Sequence, residues 1–212
     1  NAGDLAGAEA ALRETLRLHP MSIATHNVLG GVHQQKGELA EGKDALEATM
    51  ILNHKNAVDF VLGGDTRENH VTRRFITSLH AILARDILRP EQLGSVRDRP
   101  VEIGNSQYKP LTIPQQISEQ LDVLVSKAAA IDSPFEQSIF LLTSISYLQP
   151  FIDMNKRTGR LAANVPLVRA NLCPLSYRYM DVDRYLAGLL LFYETRNIVG
   201  VKAAYFDGYE QS

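Results

Sequence analysis

The 212-residue chain has one cysteine, no tryptophan and no histidine after His80. A single cysteine excludes an intrachain disulfide, so stability has to come from a core, which a chain of this length and 45% hydrophobic content can bury. Cys173 sits in an apolar Leu-Cys-Pro-Leu stretch and is expected to be a buried small hydrophobe rather than a nucleophile. No apolar run approaches the roughly 20 residues that span a bilayer, and no secretory leader is visible. A formal net charge of −2 gives no global attraction to nucleic acid or to an anionic membrane. These absences predict a cytoplasmic globular protein with neither nucleic-acid nor membrane partners. The first residue is Asn1 rather than Met, from which a trimmed native start is expected.

What is present is helical periodicity. Asp4 precedes Leu5, Ala8, Leu12 and Leu16 on one face, so residues 1–20 are expected to form an N-terminal helix. That helix is similar to the second helix of a tetratricopeptide repeat, and half a repeat cannot bury its own stripe, which makes it a stub. Further helices are expected over 44–62, 68–86, 114–130, 135–148, 157–171 and 181–197. Pro114 and Pro134 stand where first-turn prolines belong, and Gly63-Gly64 and Arg89-Pro90 act as breaks. Val101 and Ile103 alternate about Glu102 before the turn pair Gly104-Asn105, which predicts a short hairpin. The fold class is therefore all-α, a helical bundle with one small β-hairpin. Residues 21–212 are read as one domain.

The run Gln149-Pro150-Phe151-Ile152-Asp153-Met154-Asn155-Lys156-Arg157-Thr158-Gly159-Arg160 joins the apolar helix ending at Leu148 to the next one. Asn155 and Thr158 are good capping residues, and a helix start offers unpaired N–H groups and the positive end of the macrodipole to an anion. Arg157 and Arg160, spaced i,i+3, share a face and can each fork onto phosphate oxygens. A carboxylate beside a polyphosphate, as at Asp153, is what holds Mg²⁺. On these residues alone the unit reads as a Mg-nucleotide site, and a capped helix with two surface arginines accounts for them equally well.

The same run resembles the signature of the Fic/Doc family, His-x-Phe-x-(Asp/Glu)-x-Asn-(Gly/Lys)-Arg-x-x-Arg, with Gln149 in the place of the catalytic histidine. Residues 97–110 resemble the family's flap, and the continuation from Arg160 to Tyr177 looks like that of relatives with an Asn-Lys-Arg-Thr motif. The resemblance implies a Fic-fold bundle that uses ATP and Mg²⁺. It implies that Asp153 holds Mg²⁺, that Asn155, Lys156 and Thr158 belong to the nucleotide site, with Asn155 and Lys156 around the α-phosphate, that Arg157 binds the β-phosphate and that Arg160 clamps the γ-phosphate. Retention of that second arginine favours transfer of AMP over phosphoryl transfer. Val101, Glu102 and Ile103 would pair edge to edge with a target protein and present its Ser, Thr or Tyr hydroxyl; a homo-oligomer is a further expectation. Met21 to Leu29, within 21–30, resembles the inhibitory segment of relatives, with Ser22 at its start and its glutamate position on Thr25 or His26, before Asn27. Neither is a carboxylate. Ser22 capping an unrelated helix is the alternative.

The missing element is the base. An amide such as Gln149 cannot take a proton from a hydroxyl near neutral pH, and loss of a general base costs about 10² to 10⁴ in rate. His80 shares an apolar helical face with Ile76, Leu79 and Leu83 and is expected to be structural. Three readings follow: an impaired AMP transferase, a pseudoenzyme that binds nucleotide or protein, and transfer of another phosphate-linked group such as UMP or phosphocholine.

Overall fold

The computed structural model describes residues 39–63, 71–178 and 180–212. The N-terminal helix expected over 1–20 and the inhibitory-like segment 21–30, with Ser22, Thr25, His26 and Asn27, lie outside the described residues. Among the described residues eight helices follow in order: α1 (Leu39–Gly63), α2 (Arg73–Ala84), α3 (Pro114–Ala129), α4 (Pro134–Leu148), α5 (Asn155–Ala162), α6 (Asn164–Arg169), α7 (Val182–Thr195) and α8 (Val199–Glu210). A single 3₁₀ turn, Pro90–Gln92, lies between α2 and α3.

Local chemistry explains the starts. Thr72 caps α2 by accepting from the Phe75 N–H at 3.1 Å. Ser133 does the same for Glu136 in α4, and Asp181 for Arg184 in α7. Pro114 and Pro134 occupy first-turn positions, where a missing N–H costs nothing.

Helix α4 is the axis. It is apolar on most of its circumference, which suits a helix covered on all sides. One side contributes Leu141, Ile145 and Leu148 to a core shared with Ala57 and Val61 of α1, Ile76, Leu79 and Leu83 of α2, and Ile117, Leu121 and Leu124 of α3. Another contributes Ile139 and Leu142 to a second core with Leu167, Tyr185, Leu189, Val201 and Tyr205. Each fully buried side chain of this kind contributes about 1.5–3 kcal/mol, so α4 anchors both halves and fixes where its own C-terminus emerges.

Four expectations need correction. The helix expected over 157–171 begins at Asn155 and is two helices, because Pro166 has no N–H to offer the Ala162 carbonyl four residues back and its ring crowds that group. Helix α8 lies beyond the last helix expected from sequence. Gly200 and Gly208 within it dilute the apolar pattern, while Gly188 of α7 and Gly200 let α7 and α8 cross closely: a Cβ on Gly188 would stand 2.8 Å from the Gly200 backbone. The hairpin expected within 97–110 is a turn without strands. The Ser106 N–H reaches the Ile103 carbonyl at 3.2 Å with Asn105 at φ 61°, but no ladder forms among the described residues, and Pro100 and Pro110 remove donors from both arms. Cys173 is exposed, since the loop after α6 turns Leu175 inward instead.

Candidate functional site

At the end of α4 the chain turns on Gln149, which is left-handed at φ 50°, ψ 57°. Five residues later Met154 is left-handed as well, at φ 59°, ψ 8°, and α5 begins. Two non-glycine residues in this region cost on the order of 1–3 kcal/mol each unless their surroundings over-determine them. Here they do. Phe151 is fully buried and its ring stacks on His80 at 3.9 Å. The Asn155 side chain accepts from the Phe151 N–H at 2.9 Å and donates to the Phe151 carbonyl at 2.8 Å. The Gln149 carbonyl accepts from Arg97 Nε at 2.7 Å.

The turn forms one wall of a cavity of about 410 Å³. Gln149, Asp153, Asn155, Lys156, Arg157 and Arg160 line it from the motif, and Val101, Glu102 and Ile103 line it from the loop before α3. The motif and that loop, about fifty residues apart in sequence, therefore face each other across one space. Ile103 is buried into the second core while Glu102 is exposed, so the loop offers backbone and the Glu102 side chain to the opening. Its far arm is tied to α7: Glu194 accepts from Ser106 Oγ at 2.5 Å and from the Gln107 N–H at 2.8 Å, contacts that pull the Glu194 carboxyl below its ordinary range.

The first turn of α5 opens onto the cavity. Met154 supplies no side-chain cap, so the N–H groups at the helix start are left to whatever occupies the cavity. Neither residue expected to cap this helix does so. Asn155 closes the turn through Phe151, and Thr158, fully buried, donates its hydroxyl to the Met154 carbonyl at 3.0 Å and does not line the cavity. Asn155 therefore meets the cavity with a side chain already committed. Arg157 reaches Met50 Sδ at 3.3 Å, and the Arg160 guanidinium lies 5.5 Å from the centroid of the Tyr177 ring. The two arginines and, more strongly, burial depress the His54 pKa. His54 lines a second cavity, about 480 Å³, that shares Arg160 with the first.

Asp153 is exposed and accepts from the Met154 N–H at 2.6 Å through Oδ1. Among the described residues no group of three or more His, Cys, Asp or Glu side chains could hold a metal by itself. A lone carboxylate beside cations and helix N–H groups suits Mg²⁺ that arrives with a polyphosphate, the ion keeping water and phosphate oxygens for its other positions. Gln149 is buried, and its Nε2 donates to the Ser146 carbonyl at 2.6 Å, so the amide closes off the end of α4.

Sequence reasoning missed Met50, Gly104, Ile152 and Met154 in the lining, and Arg97 as a support, whereas His80, expected to be structural, is fully buried against Phe151. Ile152 and Met154 lie inside the motif and could have been included. Met50 is brought in by the packing of α1 and has no signal in the sequence.

Residues 70–167 match the family model described as the Fic/DOC family. The chain is 28% identical over 158 residues to a protein adenylyltransferase Fic from Nematostella vectensis, an alignment covering 69% of this chain and 36% of that protein, so the chain spans about a third of its length. Among solved structures it is similar to Fic-1 (residues 134–508) from C. elegans, with a TM-score of 0.66 and 19% identity over 97% of this chain and 64% of that one. It is also similar to BepC, a VirB-translocated effector from Bartonella tribocorum with bound AMPPNP, with a TM-score of 0.63 and 14% identity over 82% of this chain and 90% of that one. The helical fold, the turn at Gln149 to Asn155 and the match of residues 70–167, just under half of the chain, agree on a Fic/DOC domain.

Proposed function

We propose that this chain binds Mg-ATP in the 410 Å³ cavity and is built to transfer AMP to a Ser, Thr or Tyr hydroxyl of a target protein, with the transfer impaired by Gln149. The observation that carries this reading is the convergence of the uncapped α5 N-terminus, Arg157, Arg160 and Asp153 on one cavity whose opposite wall is the loop at Val101 to Ile103. In the reaction the target oxygen attacks the α-phosphorus, the bond to the bridging oxygen of the β-phosphate breaks, and pyrophosphate leaves with the electron pair. Arg157 and Arg160 meet charge on the departing β- and γ-phosphates, and the Lys156 region of α5 meets charge on the α-phosphate. Mg²⁺ held at Asp153 would supply further neutralisation of the phosphates. The backbone around Glu102 aligns the target segment so that its hydroxyl approaches in line. Its proton goes to solvent, since Gln149 cannot accept it. The cytoplasm, where ATP and Mg²⁺ are abundant, is the expected setting. A similar adenylyltransferase and a similar structure with bound AMPPNP support this reading.

A second reading, a nucleotide-binding or protein-interaction module without turnover, has its own support. Gln149 is not merely a residue without a usable pKa; its amide is committed to the α4 carbonyl end.

The test is to incubate the chain and its Gln149→His variant with Mg²⁺ and either α- or γ-labelled ATP, and to score label on the chain and on lysate proteins. Label from α-ATP with the histidine variant alone supports a base-deficient AMP transferase. Label with both chains points to a base elsewhere. Label from γ-ATP, or ATP binding without label in either chain, overturns AMP transfer.

A further inference from the structure

Arg97 is 3% exposed, and among the described residues its hydrogen bonds go to backbone carbonyls and to no carboxylate. Nε donates to Gln149 at 2.7 Å, Nη1 to Arg99 at 2.9 Å, and Nη2 to Leu111 at 2.5 Å. Its own N–H donates to the Pro150 carbonyl at 3.0 Å. Burying a guanidinium without a counter-charge is costly, and burial depresses the Arg97 pKa. A surface loop closed only for stability has no need of that expense.

Its acceptors explain the arrangement. Arg99 and Leu111 stand at the two ends of the loop that carries Val101, Glu102 and Ile103, and Gln149 and Pro150 open the phosphate-binding turn. A planar fork with fixed donor directions is the side chain able to serve all of these at once. The strut continues below: three residues before Arg97, the Gly94 N–H donates to His80 Nδ1 at 3.0 Å, and the His80 ring stacks on Phe151 of the same turn.

We propose that Arg97 is a positioning residue that locks the loop at Val101 to Ile103 and the backbone of position 149 into one rigid unit, so that the hydroxyl-presenting wall and the phosphate-binding wall keep a fixed separation. This rests on the AMP-transfer reading for its consequence, and on the hydrogen bonds alone for its mechanical part. Arg97 touches neither reactant. Its loss leaves the α5 cations and N–H groups in place, so nucleotide binding survives while alignment of the attacking oxygen does not.

The test uses Arg97→Lys in the native chain and in the Gln149→His chain. Lysine keeps the charge but cannot serve three divergent carbonyls. Expected are binding of AMPPNP with Mg²⁺ at full stoichiometry and an affinity within about twofold, AMP transfer at least about tenfold slower, and amide exchange at least about tenfold faster across 97–111 and 149–152 with other helices unchanged. Unchanged transfer and exchange overturn the proposal, as does a fall in binding stoichiometry that matches the fall in transfer, because that is a general loss of folded protein. If Gln149→His with native Arg97 transfers no AMP, the functional reading fails and the exchange result alone judges the strut. If the lysine variant does not fold, the Arg97 Nε–H resonance of the native chain decides: slow exchange and scalar coupling to the Gln149 carbonyl support the strut, and free exchange with solvent refutes it.

Discussion

Asn155 holds both backbone polar groups of Phe151, accepting from its N–H at 2.9 Å and donating to its carbonyl at 2.8 Å. One amide thus closes the turn between α4 and α5, which makes this motif asparagine a structural residue of the cavity wall. Replacing it by alanine leaves two buried backbone groups without partners. Asn155→Ala is expected to cost about 2–4 kcal/mol, read as a lower urea midpoint at unchanged slope, and to weaken AMPPNP binding because the α5 N-terminus loses its aim.

Gly94 has a positive φ of 69°, and a Cβ there would stand 2.7 Å from the Thr77 carbonyl oxygen of α2. The obstructing carbonyl belongs to the backbone of α2 and has little room to yield. Gly94→Ala is expected to destabilise the protein by at least about 2 kcal/mol, combining the left-handed penalty with overpacking. A control, Gly104→Ala, has open space at its Cβ and is expected to change the unfolding midpoint little.

His80 gives stability a pH dependence. Burial lowers its pKa to about 4 from 6.5, with a smaller opposing pull from the Asp153 backbone. The unfolded chain takes up the proton below about pH 6.5 and the folded one only near pH 4, so stability is full above pH 6.5 and falls as pH drops through that window. The loss attributable to His80 reaches about 3 kcal/mol by pH 4. His80→Gln, which keeps an acceptor for Gly94, is expected to flatten that part of the unfolding-midpoint profile between pH 6.5 and 4.

Arg160 lines both cavities and helps depress the His54 pKa. Arg160→Ala is expected to raise the His54 pKa, visible in an NMR titration without any ligand. It is also expected to weaken AMPPNP by about ten- to a hundredfold, the worth of one or two charge-assisted hydrogen bonds, and ADP by less. Equal losses for both nucleotides would remove Arg160 from the γ-phosphate position.

Much of this was readable in advance, for identifiable reasons. Pro114, Pro134 and the period of α3 and α4 act through neighbours a few residues away, so their helices follow from local chemistry. The motif from Gln149 to Arg160 concentrates its chemistry in twelve residues, so Arg157 and Arg160 could be placed on one cavity from their spacing. Thr158 was misjudged because spacing cannot tell a side chain that turns to solvent from one that turns back to the Met154 carbonyl. Cys173 was misjudged because an apolar neighbourhood in sequence is not burial in space: the loop has one inward place and Leu175 holds it.

By itself the sequence determined the helical character of the described residues, the turn between α4 and α5 and the glutamine at position 149, because each of these depends on residue identity and short-range geometry. The tertiary structure decided what those residues do. It brought Met50 and the loop at Glu102 to the turn, spent the Asn155 side chain on Phe151, and set Arg97 between two walls about fifty residues apart. Such contacts form only when α4 is covered on both sides by two cores, and packing of that kind selects partners by shape and reach rather than by any pattern within a segment.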